Sequence, residues 1–395
     1  LVAECFMKKK LLGLTLSELT DICHQEGLPG FTARQICDWL YKKRVVDFGQ
    51  MTNLSKKARQ ALSEKYEVGA VPYCKYAMSK DGTRKYLFEV RPLSKAAGAD
   101  ESLSSLSTAS FVEAVMIPDG ERKTLCVSSQ AGCRMGCRFC MTGRQGFHGN
   151  LDAAQILSQF FLIDEAEELT NAVFMGMGEP LDNLDNVLRA LDVLTSDWGC
   201  AWSPKRITLS TIGVNKASGE GRRGVEGKVA QQRDSVRKSP LERFLEESRV
   251  HLAVSLHNPF PDERRELMPS EGAFPLKKTL EIIRRYDFTG QRRVSFEYIL
   301  FKGLTDTPRH AEALVSLLRG LECRVNLIRF HDIGDTEFVP SSMKTVQAFE
   351  DRLNAAGIKA TLRASRGQDI EAACGMLSGK EAGAQMSKLM EEFVK

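Results

Sequence analysis

From residue 111 onward, apolar runs with strand character alternate with amphipathic helical stretches, and few folds accept that alternation. The strand-like runs lie at 111–117, 124–128, 172–176, 206–211, 251–257, 293–301, 323–330 and 359–364. Helical periodicity fills 152–166, 184–196, 241–249, 276–286, 308–319 and 343–356. Strands joined by helical crossovers run parallel. The pattern therefore specifies an α/β chain whose sheet is open or closes into a barrel. In both, functional groups gather at the carboxyl ends of the strands. The unusual residues fall there: a cysteine loop after 128, Gly176-Met-Gly-Glu-Pro180, Ser210-Thr211, Ser255-Leu-His257 and Asn326.

The chain before this repeat is built differently. Residues 1–70 read as a small helical unit with Leu16, Leu19, Ile22 and Cys23 at helical spacing after Thr15. Thr32 is expected to cap a second helix carrying Ile36, Trp39 and Leu40, and Leu54 to Leu62 suggest a third. Residues 71–122 form a β connector, with strands at 73–78 and 84–90 turning at Asp81-Gly82 and a flexible loop at 93–110. Residues 123–395 hold the repeat, interrupted at 217–240 by a mobile insertion rich in Gly, Arg, Gln and Ser. There Arg222, Arg223, Lys228, Arg233, Arg237 and Lys238 outnumber Glu220, Glu226 and Asp234. Such a stretch is a tolerated surface insertion or a basic arm for phosphates.

Composition narrows the class. With 43% apolar and 27% charged residues the chain reads as soluble and globular. No apolar run approaches the roughly 20 residues that span a bilayer, so no membrane partner is expected. The net charge of +4 is too small to prove a nucleic-acid partner. Eleven cysteines, three packed tightly and the rest scattered, do not resemble a secreted disulfide framework and point to a reducing cytoplasm. The first ten residues make a poor signal peptide, and Met7 is an alternative start to Leu1.

Cys133, Cys137 and Cys140 stand as C-x3-C-x2-C, with Gly132 and Gly136 beside them. Three thiolates within eight residues can wrap one soft metal centre. A structural zinc wants four ligands, usually in two separated pairs. A cubane held by three cysteines keeps one iron open for a substrate or cofactor. A zinc site completed by a distant residue is the alternative. In Gly176-Met-Gly-Glu-Pro180, the glycines let backbone approach a ligand, Glu179 can accept from an ammonium, and Pro180 fixes the turn.

These residues resemble the radical S-adenosylmethionine enzymes, in which C-x3-C-x2-C holds a 4Fe–4S cluster. The resemblance implies a partial (β/α) barrel with a helical accessory domain and a β-hairpin connector. Phe139 matches the aromatic that packs near the adenine of S-adenosylmethionine. Reading outward, Thr124-Leu-Cys-Val-Ser-Ser-Gln-Ala-Gly-Cys133, Phe174-Met-Gly-Met-Gly-Glu-Pro180, Val254-Ser-Leu-His257, Val325-Asn-Leu-Ile328 and Asp369-Ile-Glu-Ala-Ala-Cys-Gly375 are similar to the adenine-C2 RNA methyltransferases. That family methylates an adenine of large-subunit ribosomal RNA and one of tRNA.

The resemblance assigns roles residue by residue. Cys374 takes a methyl group from one S-adenosylmethionine, and a second supplies the radical, so two are used per turnover. The carbon adds to C2, Glu113 removes the C2 proton, and Cys126 resolves the adduct through a transient disulfide with Cys374. Gly178, Glu179, Ser210, Ser255, Leu256, His257 and Asn326 correspond to S-adenosylmethionine contacts. The resemblance further implies an electron-donor protein such as a flavodoxin or ferredoxin, and a monomer. Read without it, Cys126 and Cys374 are equally small core residues. The competing readings are the related adenine-C8 methyltransferase, from which Pro180 argues, and a non-catalytic RNA-binding protein with a structural zinc.

Overall fold

The structure, a computed structural model, describes residues 8–93, 109–216, 238–288, 290, 292–330, 336–372 and 376–377. The first six residues, most of the 93–110 loop, most of the 217–240 insertion and Cys374 lie outside the described residues. The N-terminal helical unit follows its capping chemistry. Thr15 and Glu18 form a reciprocal capping box that starts α1 (Leu16–Gln25), whose buried face is Leu19, Ile22 and Cys23. α2 (Thr32–Cys37) begins at Thr32 itself, so Thr32 is the first helical residue and not its cap; Phe31 precedes it without a side-chain cap bond. The helix runs on into a π turn at Asp38–Lys42. Ser55 caps α3 (Lys56–Lys65). Lys9–Lys10 pairs in parallel with Tyr66–Glu67, joining the two ends of the unit.

Several contacts dock this unit on the repeat. Glu18, besides capping α1, receives Arg189 at 2.6 Å. Lys10 meets Asp152 at 2.8 Å. Gly13 holds φ +90°, and a Cβ there would sit 2.8 Å from that of Ala153. Tyr41, 1% exposed, donates its hydroxyl to the Leu14 carbonyl and sets its ring edge-on to Trp198 at 5.7 Å.

Ten strands form one sheet whose spatial order is the order of the chain. β1 (Tyr73–Met78), β2 (Arg84–Val90), β3 (Ser110–Asp119) and β4 (Arg122–Cys126) make an antiparallel meander. β4 then pairs in parallel with β5 (Asn171–Phe174). β6 (Ile207–Thr211), β7 (His251–Ser255), β8 (Val294–Leu300), β9 (Cys323–Arg329) and β10 (Lys359–Leu362) continue in parallel. The hairpin connector is thus hydrogen-bonded into the sheet of the repeat.

The crossovers are α4 (Ala153–Phe161), α5 (Leu184–Thr195), α6 (Pro240–Glu247), α7 (Pro261–Leu267), α8 (Leu276–Ile283), α9 (Pro308–Leu318) and α10 (Met343–Ala355). In α5, Leu184, Val187, Ala190, Leu191 and Leu194 are buried, the stripe that 3.6-residue periodicity places against a sheet. Ser239 caps α6 from within the end of the expected insertion. No helix among the described residues is long and apolar enough to cross a membrane.

The outer strands β1 and β10 are not neighbours in the ladder. Polar bonds draw the two ends together instead. Beyond β10, Gly367 donates to Asp81 at 3.0 Å, and Asp369 accepts from the Ser79 hydroxyl and the Lys80 amide, all in the β1–β2 turn. Arg363 reaches Met175, just past β5, at 3.3 Å. The sheet therefore curls into a partial barrel, open on one side.

The Tyr41 contact is expected to carry much of the docking. Tyr41→Ala should cost about 3–5 kcal/mol, the range for emptying a buried aromatic site. Urea unfolding followed by tryptophan fluorescence checks this, because Trp198 lies against the ring; a loss below about 1 kcal/mol would show that the ring does not hold the unit.

Candidate active site

The cysteine loop begins where β4 ends. Gln130–Gly132 pairs with Phe147–Asn150 in a small hairpin that the sequence did not announce, and this hairpin carries the loop. Gly132 has φ +69°, and a Cβ there would stand 2.0 Å from the Gly146 carbonyl oxygen. Only glycine allows that approach. The same carbonyl accepts from the Cys133 amide at 2.8 Å, and the Cys137 carbonyl accepts from Cys140 at 3.1 Å. Cys133 is buried and Cys137 and Cys140 are half-buried. Burial pushes the Cys133 thiol up to about 12, with Glu179, the Cys140 thiol and Asp182 adding to the shift. A positive metal centre is what would reverse that cost and hold the three as thiolates.

Gly176-Met-Gly-Glu-Pro180 lies directly against this loop. A Cβ at Gly176 would meet the Val127 carbonyl oxygen at 2.7 Å. Gly178, at φ +100°, would strike the Gln130 side chain at 2.5 Å. The Met177 carbonyl accepts from Ser129 at 2.8 Å and Gln130 at 3.2 Å, so the backbones after β4 and β5 are laced together. Glu179, 3% exposed, accepts from the Thr211 hydroxyl, the Ile212 amide at 2.9 Å and the Leu181 amide at 3.1 Å. Burial lifts its carboxyl to about 7 against the pull of those three donors. A carboxylate has about four acceptor positions, so one remains for an ammonium.

Across the barrel, Ser255, Glu297 and Asn326 sit at one level of neighbouring parallel strands and share a face. Asn326 donates to Glu297 at 2.7 Å, and Arg363 reaches the other Glu297 oxygen at 3.4 Å. Burial raises the Glu297 carboxyl, opposed by Arg363 and Asn326. Ser210 is half-buried on β6. Leu256 is fully buried, with its amide on the Glu297 carbonyl and its carbonyl taken by Arg264, so it supports its neighbours rather than offering a side chain. His257 has φ +57° and is 6% exposed. Burial drives its imidazole down to about 3, so it is neutral, and its ring meets Phe139 at 5.0 Å.

Glu113 and Cys126 come together. Cys126 on β4 faces Val115 on β3, and Glu113 lies two residues from Val115, hence on the same face. Both are buried. Lys85 on β2 pairs with Glu113 at 3.3 Å. Around Cys374, Ala372 and Leu377 are buried, and the Leu377 carbonyl accepts from Thr142, two residues past Cys140, at 2.8 Å.

Glu297, Arg363, Lys85 and Arg264 were not singled out from the sequence. A carboxylate inside the apolar run Val294–Leu300 was the one local signal. The other three acquire their places only through tertiary contact.

The buried imidazole Nδ1 of His257 and hydroxyl of Ser129 have no hydrogen-bond partner among the described residues. Orphaned polar atoms beside a three-thiol loop, with a glycine-lined approach between them, fit a cluster and a polar cofactor. The arrangement is that of a radical S-adenosylmethionine enzyme. Residues 127–314 match the radical SAM superfamily, and residues 9–68 match the ribosomal RNA large subunit methyltransferase N-terminal domain. The chain is 52% identical over 378 residues to a probable dual-specificity RNA methyltransferase RlmN of Porphyromonas gingivalis, covering 96% of this chain and 99% of that one. It is 38% identical to the dual-specificity RNA methyltransferase RlmN of Syntrophus aciditrophicus, covering 93% and 95%. A crystal structure of a radical SAM methyltransferase from Sphaerobacter thermophilus superposes with a TM-score of 0.79 at 35% identity, covering 94% of this chain and 99% of that one.

The chain belongs to the RlmN family of dual-specificity RNA methyltransferases. It is a radical S-adenosylmethionine methyltransferase that uses a 4Fe–4S cluster and S-adenosylmethionine. The zinc-protein alternative falls with that membership.

Gly132→Ala places a methyl group into the Gly146 carbonyl, so the loop must open. Iron content after anaerobic reconstitution should fall well below that of the parent, while the far-ultraviolet spectrum is retained. Full iron loading in the variant would mean that the loop tolerates the shift.

Proposed function

We propose that this chain methylates C2 of adenosine in large-subunit ribosomal RNA and in tRNA. The observation that carries the reading is the placing of Glu113 and Cys126 on one face of the β3–β4 pair, immediately before the cysteine loop. Neither residue is needed to hold a cluster. A buried carboxylate beside a buried thiol is what a reaction needs when it must remove a carbon-bound proton and then break a bond to sulfur.

C2 of adenine is electron-poor and offers no lone pair, so direct displacement on a sulfonium methyl is unsuitable. When bound, the cluster and S-adenosylmethionine supply a carbon radical strong enough to remove hydrogen from a methyl group. The chain's own residues do the remainder. Cys133, Cys137 and Cys140 hold the cluster. Gly178, Glu179, Ser210, Ser255, His257 and Asn326 seat S-adenosylmethionine, with Leu256 behind them. Cys374 carries the methyl carbon as a thioether. Glu113 takes the C2 proton once that carbon is joined to the base. Cys126, as its thiolate, attacks the Cys374 sulfur; the carbon–sulfur bond breaks, the departing carbon takes a proton to become the methyl group on the base, and the two cysteines are left as a disulfide.

That disulfide must be reduced before the next turnover, and the cluster also needs electrons. An electron-donor protein such as a flavodoxin or ferredoxin therefore belongs to the cycle. All nine cysteines of the described residues are free thiols, which suits a reducing cytoplasm. We take the enzyme to act there as a monomer.

Two measurements test the reading. Nucleoside mass spectrometry of RNA from cells with and without the chain should find 2-methyladenosine lost on deletion; 8-methyladenosine in its place would assign the C8 reaction. Cys126→Ala should leave methylation of Cys374 intact and accumulate a covalent protein–RNA species that survives denaturation. An inactive variant with unmethylated Cys374 would give Cys126 an earlier part.

A further inference from the structure

A buried guanidinium joins the cysteine loop to the turn that holds Ser255 and His257. Arg264 lies on α7 and is 1% exposed. Its Nε donates to the Leu256 carbonyl at 2.9 Å and its Nη2 to the Ser255 carbonyl at 2.9 Å. Its Nη1 pairs with Glu271, which is 3% exposed. Glu271 is fixed in turn by the Leu276 amide, at 3.0 and 3.2 Å from its two oxygens. One planar fork therefore holds two successive carbonyls, and the next residue, His257, takes a left-handed conformation that a non-glycine residue rarely adopts.

The same short helix also reaches the cysteine loop. Its last residue, Leu267, accepts from the Arg138 amide at 3.0 Å, between Cys137 and Cys140. The neighbouring Phe139 ring meets His257 edge-on at 5.0 Å. A fully buried ion pair is a poor source of stability, because removing both charges from water offsets most of their attraction. What this pair supplies is geometry: the level of the Ser255–His257 turn relative to the cysteine loop.

We propose that Arg264, held by Glu271, is a positioning residue that fixes the Ser255–His257 turn against the cysteine loop, so that S-adenosylmethionine meets the cluster in one orientation. This rests on the reading that Ser255 and His257 contact S-adenosylmethionine. Arg264 acts through the two carbonyls that its fork holds.

The test uses the full chain with its cluster reconstituted, as Arg264→Lys, the double variant Arg264→Met with Glu271→Met, and Ser255→Ala. Iron content, thermal midpoint, S-adenosylmethionine affinity by equilibrium dialysis, and the electron paramagnetic resonance spectrum of the reduced cluster with and without S-adenosylmethionine are read for each. Arg264→Lys keeps the charge but loses the fork. It should keep its iron and bind S-adenosylmethionine about tenfold more weakly, with a diminished spectral response to the ligand. The double variant replaces the pair by apolar volume; it should fold and load iron yet stay weak in binding. Affinity within about twofold of the parent in both would overturn the proposal. So would a loss of binding only in proportion to lost iron, which is a structural role alone. If Ser255→Ala binds like the parent, the reading of the turn fails and this inference with it. If Ser255→Ala is weak while both Arg264 variants bind normally, only the positioning role fails.

Discussion

Backbone lying directly on backbone at the ends of β4 and β5 is the constraint from which the site follows. Gly132 rests on the Gly146 carbonyl, Gly176 on the Val127 carbonyl and Gly178 on Gln130, each closer than a Cβ would permit. Because these segments touch without side chains between them, the three thiols of the cysteine loop and the Gly176–Pro180 turn share one small volume. A cluster held by those thiols and a cofactor seated on the Gly176–Pro180 turn would therefore lie side by side. Larger residues would separate the two and leave each intact but useless.

Sheet curvature supplies the second requirement. A closed eight-stranded barrel fills its interior with side chains. Here the sheet stays open, and its ends approach through polar bonds from Asp81, Ser79 and Asp369 in place of a strand pair. The interior therefore keeps Glu297, Arg363, Asn326, Glu113 and Lys85 where a closed barrel would hold Val and Leu. The segment just before Cys374 is tied to the β1–β2 turn, and the one just after it to Thr142 beside the cysteine loop. The meander added in front of the parallel strands thus places Glu113 and Cys126 and also anchors the chain on its way to Cys374.

Much of this was legible in the sequence. Strand and helix periodicity located every parallel strand and most crossovers, because those elements bury a regular stripe. The Asp81-Gly82 turn fixed its hairpin, and Thr15 its helix. Thr32 misled because a capping residue type also stands comfortably as the first residue of a helix when the preceding turn already directs the chain. The Gln130–Gly132 and Phe147–Asn150 hairpin and α7 were invisible for a different reason. They are too short for periodicity, and α7 holds two arginines and three carboxylates in seven residues, which read as surface. Arg264 is buried only because Ser255, Leu256 and Glu271 surround it, and no local pattern announces that.

The distribution of buried charge separates catalysis from folding. Buried ion pairs seldom stabilise a fold relative to apolar residues of the same volume, so a chain that keeps several is spending stability on something else. Arg264 with Glu271, Lys85 with Glu113, and Arg363 with Glu297 all lie within the curl of the sheet or at its rim, while the packed layer between sheet and helices holds Leu, Ile, Val and Phe. Glu113 illustrates the point: at 2% exposure its carboxylate has the Lys85 ammonium 3.3 Å away. A base must be charged to accept a proton, and a base kept from water needs a cation beside it. For the base proposed above, the barrel interior places the carboxylate on β3 and the cation one strand away on β2.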